Sequence, residues 1–435
     1  DKPGYDIPAI LVGGTNGKGT TSGLLWNFLA ASGLRAGLFT SPHLVEFCER
    51  IQCSHTQITD QIIFDFWEKI KRELPADIYD ALSFFEVTAL IAFKIFESLG
   101  CDINVLEVGM GGRLDASNIS NPLASVIVGI GRDHQKFLGT TLYSITREKL
   151  GIARRDRPLF LGSGGELYQD RQAYDLFIDT LSEMNCPLWK LGTHFGMNDD
   201  EIYITIPGLS PLNVKMPAIL SKSAQYLKNN FCLAMAVFHW YREKCISKEN
   251  KLTSAREVAS TFPRTDIPWS PSMAGRFFRT KVKRADGSEK CVLMDVCHNI
   301  DGVTEFEKSL RAALSIQGKK RVPGIVSILN DKDINPMLDI LKGILDPIVL
   351  FKIDHERTIK LDDLAERHRS LKLYESFADL WSASGSLALS GEEPYVICGS
   401  VLAVGSVLEY FSKFPRKMVA EDTLVGDWSF DRFSV

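Results

Sequence analysis

The sequence predicts an α/β protein of two domains, a large parallel-sheet domain over residues 1–270 and a smaller Rossmann-like α/β domain over 271–435. Three observations lead there. Short β-branched runs alternate with segments of helical period, the pattern of a parallel sheet covered on both faces. The first run ends in a glycine-rich bend that opens into a helix. A stiff proline-rich stretch, 262–272, interrupts the alternation and reads as a linker, after which the alternation restarts.

The elements follow in order. PAILVGG (8–14) is short, apolar and closed by glycines, so it reads as a buried strand. TSGLLWNFLAASG (21–33) has helical spacing and stops at Gly33. AGLFT (36–40) is a second strand, 59–74 and 84–100 are helices, and INVLEVG (103–109) and ASVIVGI (124–130) are buried strands. Residues 160–260 mix helices with less regular segments. Beyond the linker, 290–296, 322–329, 346–353 and 394–400 are strand candidates with helical patterns between them.

Composition excludes several classes. Fifty Lys and Arg face 54 Asp and Glu, a net charge of −4, which argues against a nucleic-acid or membrane-surface partner. Apolar residues make up 45% and charged residues 24%, too apolar for a disordered chain. No apolar run approaches the roughly 18 residues of a membrane span, and no secretory leader is read. The nine cysteines are odd in number, scattered and without a CxxC pair, so a reducing cytoplasm is expected rather than disulfides or structural zinc. The chain opens on Asp1, and residues before it are expected.

Residues 13–21 read Gly-Gly-Thr-Asn-Gly-Lys-Gly-Thr-Thr between the first strand and first helix. Glycines let several N–H groups of Gly14, Thr15, Asn16, Gly17, Lys18 and Gly19 turn toward one anion, and the helix start adds partial positive charge. Lys18 can reach a terminal phosphate, and Thr20 or Thr21 can set a hydroxyl near phosphate or Mg²⁺. The strict GxxxxGK[ST] pattern is not met, because Val12 holds its first position and Gly19 follows the lysine. Strand, bend, lysine, hydroxyls and helix in this order predict a P-loop domain with a nucleoside triphosphate site.

The chain resembles the folylpolyglutamate synthase and dihydrofolate synthase family of the Mur ligase superfamily. The resemblance rests on GTNGKGT, SPHLVEFCERI (41–51), SFFEVTALIAF (83–93), LEVGMGGRLDASN (106–118), GRDHQKFLG (131–139) and ITREKLGI (145–152). It continues through Asn230 with FCLAMAVF, MAGRFF (273–278), MDVCHN (294–299), LNDKDI (329–334) and VICGSVLAVG (396–405). Departures are Ala274 for Pro, Val296-Cys297 for Gly-Ala, Asn330 for Lys and Cys48 for Asn.

The resemblance implies that ATP phosphorylates a folate-type carboxylate and that the amine of L-glutamate then attacks the acyl phosphate. It implies Mg²⁺ at Ser41, Glu107 and His134, with Lys149 as a carbamate binding a second ion. Lys149 sits early in a helix in this reading, and without the carbamate it would be an exposed lysine. Asn230, Arg276, Asp295 and His298 would contact the nucleotide and its phosphates, the second domain closing over ATP. Lys18, Lys149 and His298 would carry the chemistry. Ser83, Phe84, Phe85 and Glu86, with Arg113, Leu114 and Asp115, would contact dihydropteroate or reduced folate, although adjacent phenylalanines at a helix start are more often core. A bifunctional cytoplasmic monomer is expected.

Two other readings compete. A cell-wall Mur ligase would carry a further domain before the loop, and here the loop starts at residue 13. A GTP-hydrolysing switch would carry the NKxD tetrad, whereas 330–333 read Asn-Asp-Lys-Asp.

Overall fold

A computed structural model describes residues 5–221, 223–245, 253–260, 275–283, 289–316, 318, 320–382 and 394–412. The proline-rich stretch 262–272 and Ala274 lie outside the described residues. The chain forms two compact units, Asp1–Pro217 with Tyr226–Met273, and Ala218–Gln225 with Ala274–Val435.

The larger unit is built on a seven-stranded sheet ordered β3-β2-β4-β1-β5-β6-β7. Its strands are β1 (Ala9–Gly13), β2 (Ala36–Phe39), β3 (Ile51–Cys53), β4 (Ile103–Glu107), β5 (Pro122–Ile130), β6 (Leu159–Gly165) and β7 (Leu188–Lys190). All neighbours are parallel except β2 and β3. β1 is buried on both faces, as its unbroken apolar run requires. The strand order reverses at β1: β2 and β4 lie to one side, β5 to β7 to the other. The carboxyl ends of strands at such a switch point border a crevice. Pairing of Val12 with Glu107 brings the ends of β1 and β4 to that edge, and β5, paired through Gly13 with Ile127, runs on to Ile130.

Helices α1 (Lys18–Ala31), α2 (Asp60–Glu73), α3 (Ala76–Ala81), α4 (Phe84–Ser98), α5 (Gln135–Leu138), α6 (Leu142–Leu150) and α7 (Arg171–Glu183) connect these strands. Every residue of α1 after Lys18 is buried, so α1 is a core helix rather than an amphipathic cover. A separate antiparallel sheet joins β8 (Phe195–Asn198), β9 (Glu201–Ile204) and β10 (Leu212–Lys215). The short α8 (Ala218–Ser221), the 21-residue α9 (Gln225–Cys245) and α10 (Ala255–Ser260) follow.

The smaller unit carries a six-stranded sheet ordered β11-β12-β16-β13-β14-β15. These are β11 (Phe278–Lys283), β12 (Glu289–Asp295), β13 (Val322–Val326), β14 (Leu345–Phe351), β15 (Lys372–Tyr374) and β16 (Tyr395–Cys398). Only β11 runs antiparallel to its neighbour. α11 (Ile300–Ile316), α12 (Ile334–Leu341), α13 (Phe377–Ser382) and α14 (Val401–Ser412) complete it. Both sheets therefore end on an antiparallel edge strand that the βαβ pattern does not predict. Ile51, Gln52 and Cys53 of β3 alternate buried and half-buried, as a strand half-covered by protein should. Among the described residues no helix is long and apolar enough to cross a membrane.

Candidate active site

The bend after β1 is fastened to the end of β5. Thr15 N–H donates to the Gly129 carbonyl at 2.9 Å. The Thr15 hydroxyl donates to the Gly131 carbonyl at 3.0 Å and accepts the Gly131 N–H at 2.9 Å. Gly17 then takes a left-handed φ of 82° as the N-cap of α1. A Cβ there would stand 2.9 Å from Nδ2 of Asn230 and 3.0 Å from Val128 Cγ1. Only glycine satisfies both the φ and the space. Gly17→Ala is expected to lower stability by about 1–3 kcal/mol, and urea unfolding of the variant checks this. The same contact places buried Asn230, on α9, against the bend.

Two lysines converge on one carbonyl. Lys18 Nζ donates to Gly14 O at 3.3 Å and to Thr15 O at 3.1 Å. Lys149 Nζ donates to Gly14 O at 2.7 Å. Lys149 lies in the last turn of α6 and is 4% exposed, which corrects both its expected place early in a helix and the exposed-lysine alternative. Burial, and then the charge of Lys18, hold its ammonium down at about 7, against a partial offset from Asp133. Burial and the Lys18 charge thus favour the uncharged amine at Lys149.

The acidic and hydroxyl groups come from the neighbouring strand ends. Glu107 is the last residue of β4, is buried, and accepts the Ser41 N–H at 3.0 Å. Arg50, half-buried, feels the charges of Glu107 and Glu49. Glu49 holds the 44–46 backbone by accepting the N–H groups of Leu44, Val45 and Glu46 at 2.7, 2.9 and 2.8 Å. His134 follows β5 with φ 52° and ψ 33°, a left-handed backbone rare outside glycine. Its backbone N–H donates to Asp133 Oδ1 at 2.8 Å. The structure thus brings Ser41 and Glu107 into direct contact, and sets Lys18, Lys149 and Asp133 in one electrostatic group. Arg50 and Asp133 escaped sequence reasoning, although both lie inside segments that were singled out.

The hydroxyls of Thr20, Thr21 and Ser22 in the first turn of α1 are buried without a protein partner. An unpaired buried polar group costs about 1–3 kcal/mol; successive helical side chains point about 100° apart, so one or two of these hydroxyls, not all three, can face a phosphate and its Mg²⁺ at the bend. Among the described residues no three His, Cys, Asp or Glu side chains gather as a metal cluster.

The expected substrate segments have local duties. Ser83 caps α4, its N–H and hydroxyl both donating to Glu86 Oε2 at 2.7 Å. These bonds hold the Glu86 carboxyl below its usual value. The two phenylalanines diverge. Phe85 is half-buried 5.6 Å from the Phe39 ring and fills the space beside Gly109, whereas Phe84 is exposed. Asp115 accepts the N–H groups of Met110 and Ser117, both at 3.0 Å, shaping the 110–117 loop. Arg113 pairs with Glu148 at 3.0 Å, and Leu114 is exposed.

In the smaller unit, Asp295 ends β12 and its carboxylate accepts the N–H groups of Phe277 at 2.8 Å and Cys297 at 2.9 Å. It fastens the turn that carries half-buried Arg276 to the strand end. His298 Nδ1 lies 3.1 Å from the Val296 carbonyl, which can only accept, so the proton sits on Nδ1. Asp331 pairs with Arg357 at 3.3 Å.

No family model matches the chain. The dihydrofolate synthase/folylpolyglutamate synthase of Escherichia coli K12 is 28% identical over 400 residues, covering 92% of this chain and 85% of its own. The dihydrofolate synthetase of Saccharomyces cerevisiae is 26% identical, covering 95% of each chain. Among solved structures, a bifunctional folylpolyglutamate synthase/dihydrofolate synthase with Mn, AMPPNP and L-glutamate bound superposes with a TM-score of 0.73 at 26% identity, covering 93% of this chain and 89% of that one. E. coli FolC in complex with DHPP and ADP gives 0.74 at 26% identity, covering 94% and 89%. Along nearly its whole length the chain is therefore similar to folylpolyglutamate synthases and dihydrofolate synthases.

Proposed function

We propose that this protein is an ATP-dependent ligase that joins L-glutamate to the carboxylate of dihydropteroate or a reduced folate, acting as both dihydrofolate synthase and folylpolyglutamate synthase. The observation that carries the reading is the convergence of Lys18 and Lys149 on the Gly14 carbonyl beside three unpartnered buried hydroxyls.

The reaction must bring two anions together, a carboxylate and a triphosphate. Backbone N–H groups of Gly14 and of residues 16–19 at the start of α1 are offered to phosphate oxygens, the Thr15 N–H being taken by Gly129, and Lys18 stabilises charge on the transferred phosphoryl group. Thr20 or Thr21 adds a hydroxyl. Mg²⁺, when bound, supplies positive charge between the reactants; Ser41, Glu107, His134 and Lys149 as its carbamate would hold it. Asn230 is assigned to the nucleotide by resemblance, and its closeness to Gly17 of the bend supports that. Arg276, Asp295 and His298 stay assigned to nucleotide and phosphate by resemblance. Ser83, Phe84, Phe85, Glu86, Arg113, Leu114 and Asp115 remain the assigned pterin-side segments. Nine free cysteines support a reducing, cytoplasmic setting.

The test offers the purified protein ATP, Mg²⁺ and labelled glutamate with dihydropteroate or tetrahydrofolate in parallel. Glutamylated product is expected from both, with phosphate release that needs both acid and glutamate. GTP hydrolysis without any folate would overturn the reading.

A further inference from the structure

The segment Gly131–His134 leaves the end of β5 and carries Asp133, whose charge reaches Lys149, and His134. Its backbone is fastened at successive residues. Both polar groups of Gly131 are held by the Thr15 hydroxyl. The His134 N–H is taken by Asp133 Oδ1. Between them the Arg132 N–H donates to Glu166 Oε1 at 2.9 Å, and the Arg132 guanidinium pairs with Glu166 Oε2. The proposed chemistry gives Glu166 no task.

Glu166 reaches this place because β6 closes on a glycine. β6 runs beside β5 with Gly129 opposite Gly164 and Ile130 opposite Gly165. Gly165 has φ 59° and ψ −135°, a backbone region essentially confined to glycine. A Cβ there would stand 2.6 Å from the Ile130 carbonyl oxygen. The chain therefore turns sharply as β6 closes and starts a short helical turn, Glu166–Gln169, whose first side chain meets the residue after Gly131.

The two bonds to Glu166 differ in weight. The Arg132 side chain is 47% exposed, and an ion pair so placed contributes little. The main-chain N–H bond is charge-assisted and fixes the backbone one residue before Asp133. His134 follows with a left-handed φ of 52°, which a non-glycine residue keeps only where the surrounding structure imposes it.

We propose that Glu166 is a positioning residue for the ligase reaction, its carboxylate acting through the Arg132 N–H to set Asp133 and His134 beside the glycine-rich bend. The kinetic part of this proposal rests on the ligase activity proposed for the protein; the local order of residues 131–134 does not.

Variants of the full chain separate the two bonds. Glu166→Ala removes both, Glu166→Gln keeps an acceptor for the Arg132 N–H without the charge, and Arg132→Ala keeps the main-chain bond without the ion pair. Glu166→Ala should lower kcat about 10–100-fold and raise the Mg²⁺ concentration needed for half-maximal rate. KM for the acid substrate should change less than about threefold. Glu166→Gln and Arg132→Ala should stay within about threefold of wild type in kcat. A glutamate that only supports the fold would lower the melting temperature and leave the Mg²⁺ response unmoved. Amide exchange without substrates should quicken at 131–134 by at least about tenfold in Glu166→Ala and not in Arg132→Ala. Exchange is read whether or not the protein ligates glutamate, so a failed ligase assay counts against the activity and leaves exchange to decide for or against Glu166. If Glu166→Ala does not fold, Glu166→Asp, which draws the carboxylate back by one methylene, takes its place with the same expectations. Wild-type kcat and Mg²⁺ response in the folded variant, wild-type exchange at 131–134, or an Arg132→Ala as impaired as Glu166→Ala would each overturn the proposal.

Discussion

Replacing Lys18 with alanine is expected to lower kcat/KM for ATP by about 10³-fold, close to 4 kcal/mol of lost transition-state stabilisation. The ammonium is already drawn onto the bend by the Gly14 and Thr15 carbonyls, 3.3 and 3.1 Å away. It needs little rearrangement to follow charge that develops on the transferred phosphoryl group. Loss of this point charge should appear in kcat as well as in KM, because the charge it meets grows as the reaction proceeds. Steady-state assays of Lys18→Ala with each acid substrate check this, and a loss below tenfold would remove Lys18 from the chemistry. The substitution has a second readout. The Lys18 charge helps to hold Lys149 near 7, so Lys149 should titrate higher in the variant.

Lys149→Met is expected to separate stability from activity. In the unfolded chain a lysine titrates near 10.4, whereas burial and Lys18 hold Lys149 at about 7. Between those values the unfolded chain binds a proton that the folded chain lacks, so wild-type stability rises with pH there. Below about pH 7 the folded state carries the full cost of a buried cation. Methionine removes that cost. The variant should be more stable than wild type at pH 6, by on the order of 2–4 kcal/mol, and the excess should shrink toward pH 10. Thermal or urea unfolding across that range reads it directly; an excess that grows with pH would contradict the assignment.

Activity should move the other way, with kcat down by about 10²-fold or more. The uncharged amine can add CO₂: its lone pair forms an N–C bond, one C–O π bond becomes a carboxylate lone pair, and a proton leaves. The product is an anionic oxygen ligand where a cation had stood. Wild-type activity should therefore fall in CO₂-depleted buffer and return with bicarbonate, while Lys149→Met responds to neither. Mass spectrometry of the intact chain, with and without bicarbonate, supplies a readout apart from turnover.

The central parts of the fold are legible because several signals agree at each. β1 is apolar throughout, its glycines end it, and α1 begins at once, so strand, bend and helix leave little choice. The edges are not legible for the same reason in reverse. β3 has three residues, and β8, β9 and β10 have four each, too few for a period of two to stand out. Glu107 could be placed from sequence because an acid after INVL must emerge at a strand end. The burial of Lys149 could not, because it depends on packing between α6 and the bend 135 residues earlier. The divergence of Phe84 and Phe85 likewise depends on Gly109, whose missing side chain leaves room for one ring and not the other.

The two hydrogen bonds between the Thr15 hydroxyl and the carbonyl and N–H of Gly131 tie the glycine-rich bend to the segment that carries Asp133 and His134. Those two pieces come from strands that are neighbours in space and far apart along the chain. A push on either is transmitted to the other without an intervening hinge. Phosphate and metal binding should therefore be felt together in any measurement of local opening, with amide exchange slowing at 129–134 when ligand touches only 14–18.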